Sequence, residues 1–111
     1  MHSSWVADLK LDFNKDVSAS NPIVGTEFTG TSISSVLSSG WNTTYQNARS
    51  SNPHVKYYDG RPGGYVRCDL NANNWHSDFF VANSLRQSQS PMTKIASWVV
   101  ESGSPNGAVR G

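Results

Sequence analysis

The run Asp59-Gly60-Arg61-Pro62-Gly63-Gly64 constrains this chain more than any other stretch. Three glycines and a proline in six positions build a turn, and neither a helix nor a strand tolerates them. Upstream, Asn52-Pro53 stops any helix, because a residue before proline is pushed out of the helical region. Val55 to Tyr58 then reads as a short strand. Tyr65 to Leu70 reads as another, with Val66, Cys68 and Leu70 on one face and Arg67 and Asp69 on the other. Two strands around so strong a turn predict a β-hairpin at the centre of the chain.

The flanks extend the β pattern. Trp5, Ala7, Leu9, Leu11 and Phe13 alternate with Asp8, Lys10 and Asp12. A period of two predicts a half-buried strand with its charged face in water. Asn14 to Pro22 is a polar loop, and β-branched residues return from Ile23 to Ser34. Trp41, Tyr45 and Ala48 recur at helical spacing behind Ser38 and Ser39, which predicts one short helix ending before Asn52. Trp75, Phe79 and Val81 share a strand face opposite His76, Asp78 and Phe80, and an apolar Phe80 on that face calls for a cover. Lys94 to Glu101 is apolar on both faces, as a central strand is. Residues 102–111 are rich in Gly, Ser and Pro and are expected to fray.

The expected fold is mainly β (α+β): an antiparallel sheet of five or six strands with one short helix, in a single domain over residues 1–111. Only 15% of the 111 residues are charged, which fits a turn-rich β protein better than a helical bundle. A net charge of +1 with no basic cluster argues against nucleic acid or an anionic membrane as partner. No apolar run reaches the roughly 18 residues of a membrane span, and no signal peptide is expected. The single cysteine excludes an internal disulfide, and its strand pattern predicts that Cys68 is a buried, inert thiol.

Residue chemistry alone yields no complete active site. His2, His54 and His76 have no metal-ligand spacing, and the eight carboxylates are spread along strands. Gly30-Thr31-Ser32-Ile33-Ser34 lacks the second glycine and the strand-to-helix setting of a nucleophile elbow. Gly60 to Gly64 is turn chemistry and not a phosphate-cradling loop. The tryptophans and tyrosines are expected to serve mainly as core, with a sugar platform as the competing use.

Several segments, taken together, are more specific. His2 to Lys10, Val24-Gly-Thr-Glu-Phe-Thr-Gly-Thr-Ser-Ile-Ser-Ser35, Asn52-Pro-His-Val-Lys-Tyr-Tyr-Asp59, Gly64-Tyr-Val-Arg-Cys68, Trp75-His-Ser-Asp-Phe79 and Ala96-Ser-Trp-Val-Val-Glu101 run in collinear order over nearly the whole chain. They resemble the C-terminal part of PhoD-type alkaline phosphatases. The resemblance implies a fragment of a calcineurin-like metallophosphatase β-sandwich. It also implies phosphomonoesterase and phosphodiesterase activity, iron and calcium as cofactors, and export by the twin-arginine route for the full-length family. Such enzymes carry a final metal motif, Gly-Asp-x-His, followed by a Trp and an Ala-Asp-Leu strand. His2 falls on the motif's histidine and Met1 on the variable residue, while the Gly, the Asp and the earlier ligands have no counterpart. The family's iron-ligating cysteine belongs to that missing part, so Cys68 does not inherit its role.

Two-metal phosphoryl chemistry needs several ligands fixed around both ions, and one histidine cannot supply them. The chain is therefore expected to bind no cofactor alone, to be inactive or weakly active, and to come from a reading frame opening inside a larger gene. Open sheet edges predict a homo-oligomer. Two other functions compete: a non-enzymatic binding or assembly module, and a small hydrolase whose His54, His76, Asp59 or Asp78 meet across an oligomer interface.

Overall fold

The computed structural model describes residues 2–111. Seven strands run in chain order: β1 (Ser4–Lys10), β2 (Ile23–Thr29), β3 (Val55–Asp59), β4 (Gly64–Leu70), β5 (Asn74–Ala82), β6 (Met92–Glu101) and β7 (Ala108–Arg110). Helix α1 (Ser39–Ala48) and a 3-10 turn (Arg49–Ser51) stand between β2 and β3. The chain is mainly β and antiparallel with a short helix, as the sequence predicts, but the strands divide into two sheets. Their orders are β2-β1-β3 and β4-β5-β6-β7. Val6 and Tyr57 of the first sheet meet Phe79, Ala96, Trp98 and Ala108 of the second in one buried cluster, so the sheets face each other. Rings tilted against one another fill the gap, with Tyr57 at 5.7 Å from Phe79 and Phe28 at 4.9 Å from Trp75.

The central hairpin does not form. β3 pairs with β1, placing Tyr57 opposite Val6, whereas β4 pairs with β5. The Gly-Pro-Gly turn instead carries the chain from one sheet to the other. Gly63 adopts φ 71°, and its N–H donates to the Ser32 carbonyl at 2.8 Å. A side chain on Gly64 would run into the Phe80 carbonyl oxygen, 2.1 Å from where its Cβ would lie. Turn residues fix the bend, and the packing of Tyr58 on Trp5, 5.2 Å between ring centres, decides where β3 goes.

Strand β1 reverses another expectation. As the middle strand of its sheet it is covered on both faces. Trp5 packs on Tyr58 and on Tyr45 of α1, and Tyr58 donates to the Asn42 side chain at 2.9 Å. Val6, Asp8 and Lys10 lie on the opposite face, towards the second sheet, and all three are buried. The charged face is therefore interior and not in water. Leu11 and Phe13, expected to continue the apolar face, are exposed because the strand ends at Lys10. There the buried Asn21 side chain accepts from the Asp12 N–H and donates to the carbonyls of Asp12, Lys15 and Asp16, folding the loop onto itself.

Three smaller differences follow. Cys68 is exposed and not buried, because β4 is an edge strand whose later residues, Leu70 included, are left uncovered. β2 stops at Thr29 and not at Ser34. The tail expected to fray over 102–111 instead ends in β7, paired with β6 through Val99 and Val109, and Ala108 is buried. β6 is central, between β5 and β7, as its two apolar faces predict. The cover over Phe80 is Tyr65, stacked at 5.0 Å, together with the Arg67 guanidinium.

Candidate functional site

The densest gathering of ionisable side chains lies on the face of the second sheet turned away from the first. Antiparallel register puts Asp78 of β5 opposite Arg67 of β4 and Ser97 of β6. Arg67 Nη2 lies 2.7 Å from Asp78 Oδ2, Ser97 Oγ donates to Oδ1 at 2.7 Å, and Lys94 Nζ stands 3.7 Å from Oδ1. His76 Nε2 is 2.6 Å from Ser97 Oγ and 3.3 Å from Asp78 Oδ1. Burial pushes the Asp78 carboxyl up, but the Ser97 and Arg67 bonds and the charges of Lys94 and His76 outweigh it and hold it below 3.8.

Serine, histidine and aspartate are thus in contact, yet the order is wrong for nucleophilic catalysis. A working triad places the carboxylate on the far nitrogen of the ring, leaving the near one to take the serine proton. Here both partners sit on His76 Nε2, and the Ser97 proton is held by Asp78. The arrangement ties β4, β5 and β6 together and activates no nucleophile. Cys68 points to the other face of the sheet, 3.5 Å from Ser77 Oγ, where it makes only a weak contact.

A second cluster joins the two sheets. Asp8 Oδ2 is 2.5 Å from Lys56 Nζ, and Oδ1 accepts from the Ala108 N–H at 3.1 Å. Lys56 also donates to the carbonyls of Asn106 and Ala108, at 2.8 and 2.6 Å. A bulge in β3 lets Lys56 point inward beside Tyr57. Gly107 adopts φ 62° directly against Asp8, where an added Cβ would lie 2.1 Å from Oδ1.

The residues singled out from sequence are scattered. His2 is exposed two residues before β1, and Met1 beside it lies outside the described residues. His54 stands at the start of β3, edge-on to Phe13 at 6.2 Å. Asp59 binds Arg61 at 2.7 Å in the crossover. Burial raises the Asp59 carboxyl, but the Arg61 bonds bring it below its ordinary value. Only His76 and Asp78 come together, and they do so within one chain. Arg67, Ser97 and the Asp8–Lys56 pair were not singled out, since they become neighbours only once strand register is known. Among the described residues no three His, Cys, Asp or Glu side chains converge as a metal-binding group. This donor set does not fit iron and calcium as the family resemblance requires them.

Comparison with known proteins decides the family. A model described as PhoD-like phosphatase matches residues 1–79. The chain belongs to the PhoD-like phosphatase family. It is 32% identical over 106 residues to alkaline phosphatase D of Bacillus subtilis (strain 168), covering 91% of this chain and 17% of that protein. A solved structure titled "Structure of PhoD" superposes with a TM-score of 0.76 at 24% identity, covering 98% of this chain and 20% of the other, and shows the same fold. This PhoD-like chain therefore spans about a fifth or less of the relatives it matches. Among its described residues no helix is long and apolar enough to cross a membrane.

Proposed function

We propose that these 111 residues form a β-sandwich flank of a PhoD-like, metal-dependent phosphoesterase and hydrolyse phosphate esters weakly or not at all by themselves. One observation carries this reading. Asp8 and Asp78, the buried carboxylates, are already neutralised from within, by Lys56 and a backbone N–H in one case and by Arg67, Ser97 and Lys94 in the other. Neither has charge to spare for an ion. The exposure of His2, two residues ahead of a strand buried on both faces, supports its giving one ligand to a metal whose remaining ligands come from elsewhere.

Turnover of p-nitrophenyl phosphate and bis(p-nitrophenyl) phosphate, with iron and calcium added, tests the proposal. Rates no higher than those of the metals alone are expected. Hydrolysis that persists after chelation and in His2→Ala overturns it by requiring another site. The same reading includes association of copies through the outer edges of β2, β3 and β4, each at the border of its sheet. Light scattering at tens of micromolar is expected to give a multiple of the chain mass, and a monomer rules association out.

A further inference from the structure

Where β1 ends, a cavity of about 490 Å³ opens between the loop after β1, the start of β3 and the segment leading into β7. That is the size of a small-ligand site. Val17, Ile23, Pro53 and Pro105 make its apolar wall. Of the charges lining it, Asp8 and Lys56 neutralise each other.

Lys10 is different. It is only 7% exposed, and its Nζ donates to the carbonyls of Phe13 and Lys15 at 3.1 and 2.8 Å. An ammonium has three donors, so one N–H is unspent. Among the described residues no carboxylate lies within salt-bridge distance of it. Asp12 attracts it only from beyond contact, and a buried charge with no counter-charge in contact is costly and favours the arrival of an anion. His54, on the same wall, has a buried Nδ1 with no hydrogen-bond partner.

We propose that this cavity binds a short aliphatic carboxylate, its head on Lys10 Nζ and its chain along Val17, Ile23 and the two prolines. The single free N–H favours a monoanion over phosphate. No carboxylate touches the Lys10 ammonium and it offers one free N–H, while Asp8 and the exposed Asp16 already line the cavity and repel a second negative charge.

Titration with sodium hexanoate, followed by two-dimensional amide NMR of the whole chain, tests this. Saturable shifts are expected at the amides of Val17, His54 and Asn106, with a Kd on the order of 1 mM. Hexan-1-ol and inorganic phosphate are expected to bind about tenfold more weakly or worse. Lys10→Met should weaken hexanoate by at least about tenfold while keeping the buried stem. Because that change also frees the Phe13 and Lys15 carbonyls, Val17→Asp serves as the second variant. Val17 is 48% exposed, so the substitution leaves the bonds of Lys10 in place but sets a carboxylate in the wall. It too should lose hexanoate, and it decides alone if Lys10→Met does not fold. Absence of saturable shifts at these amides overturns the proposal. So does hexanol or phosphate binding as well as hexanoate, or a folded Val17→Asp variant binding hexanoate as the parent does.

Discussion

Replacing Asp8 with asparagine takes one charge out of the interior and leaves the volume almost unchanged. Removing one partner of a buried ion pair costs about 3–5 kcal/mol, most of it from the charge left behind. In this protein the abandoned partner is Lys56, whose side chain keeps 26% of its surface in water and retains two carbonyl acceptors. Those features discount the cost to about 2–3 kcal/mol. Lys56→Met is the sharper change. It strands the Asp8 carboxylate, 3% exposed, on the single Ala108 N–H, and about 4–5 kcal/mol is expected. Urea unfolding followed by tryptophan fluorescence measures both, and at about 1–3 kcal/mol per molar the midpoint of Asp8→Asn falls by about 0.7–3 M. The double variant should cost less than the sum of the two, because the second change removes the charge that the first had stranded. Amide hydrogen exchange should also quicken first in β7, which these bonds fasten to β1. The reasoning fails if Asp8→Asn lies within about 0.5 kcal/mol of the parent. It fails equally if Lys56→Met proves the milder of the two.

Two further predictions concern the ends of the pH scale. Burial, and then the charge of Asp59, push the Tyr57 phenol up to about 12 from an ordinary 10.0. The folded chain thus keeps a proton that the unfolded one loses, so stability is full below pH 10 and falls by about 2–3 kcal/mol on the way to pH 12. Tyr57→Phe should remove that alkaline limb from urea midpoints measured against pH. At the acid end, Asp78 in the folded state titrates below 3.8, so the stability it contributes is present above that value and is lost as pH falls through the folded one. An Asp78→Asn variant with an acid limb as steep as the parent's would contradict this assignment.

The sequence showed what each segment is more readily than what it touches. The Trp5–Phe13 alternation, the helix at Trp41 and Tyr45, and the doubly apolar stretch ending at Glu101 are local patterns, and each became the expected kind of element, the first of them stopping at Lys10. Asp59 to Gly64 is as strong a turn as the chain contains, yet bending fixes only that the path reverses. Which strand β3 then meets depends on Tyr57 and Tyr58 finding Val6 and Trp5 about fifty residues earlier. Cys68 was misplaced for a related reason. Its alternation with Val66 and Leu70 assigns a face correctly, but whether that face is covered depends on how far the opposing sheet extends.

The same distinction applies to β1. Its apolar residues and its charges alternate as in a strand half in water, and one-sided burial is the usual origin of that pattern. Two-sided burial produces it as well when each interior charge is answered from another element. Asp8 is answered by Lys56 and Ala108, from β3 and β7. Lys10 is met in direct contact by two carbonyls of its own loop and by no carboxylate. A sequence records that Asp8 and Lys10 are charged and two residues apart, which is identical for the two cases. Only the folded arrangement separates a charge that closes the structure from one left open to a ligand. It does so on the strand that, at its other end, begins beside His2.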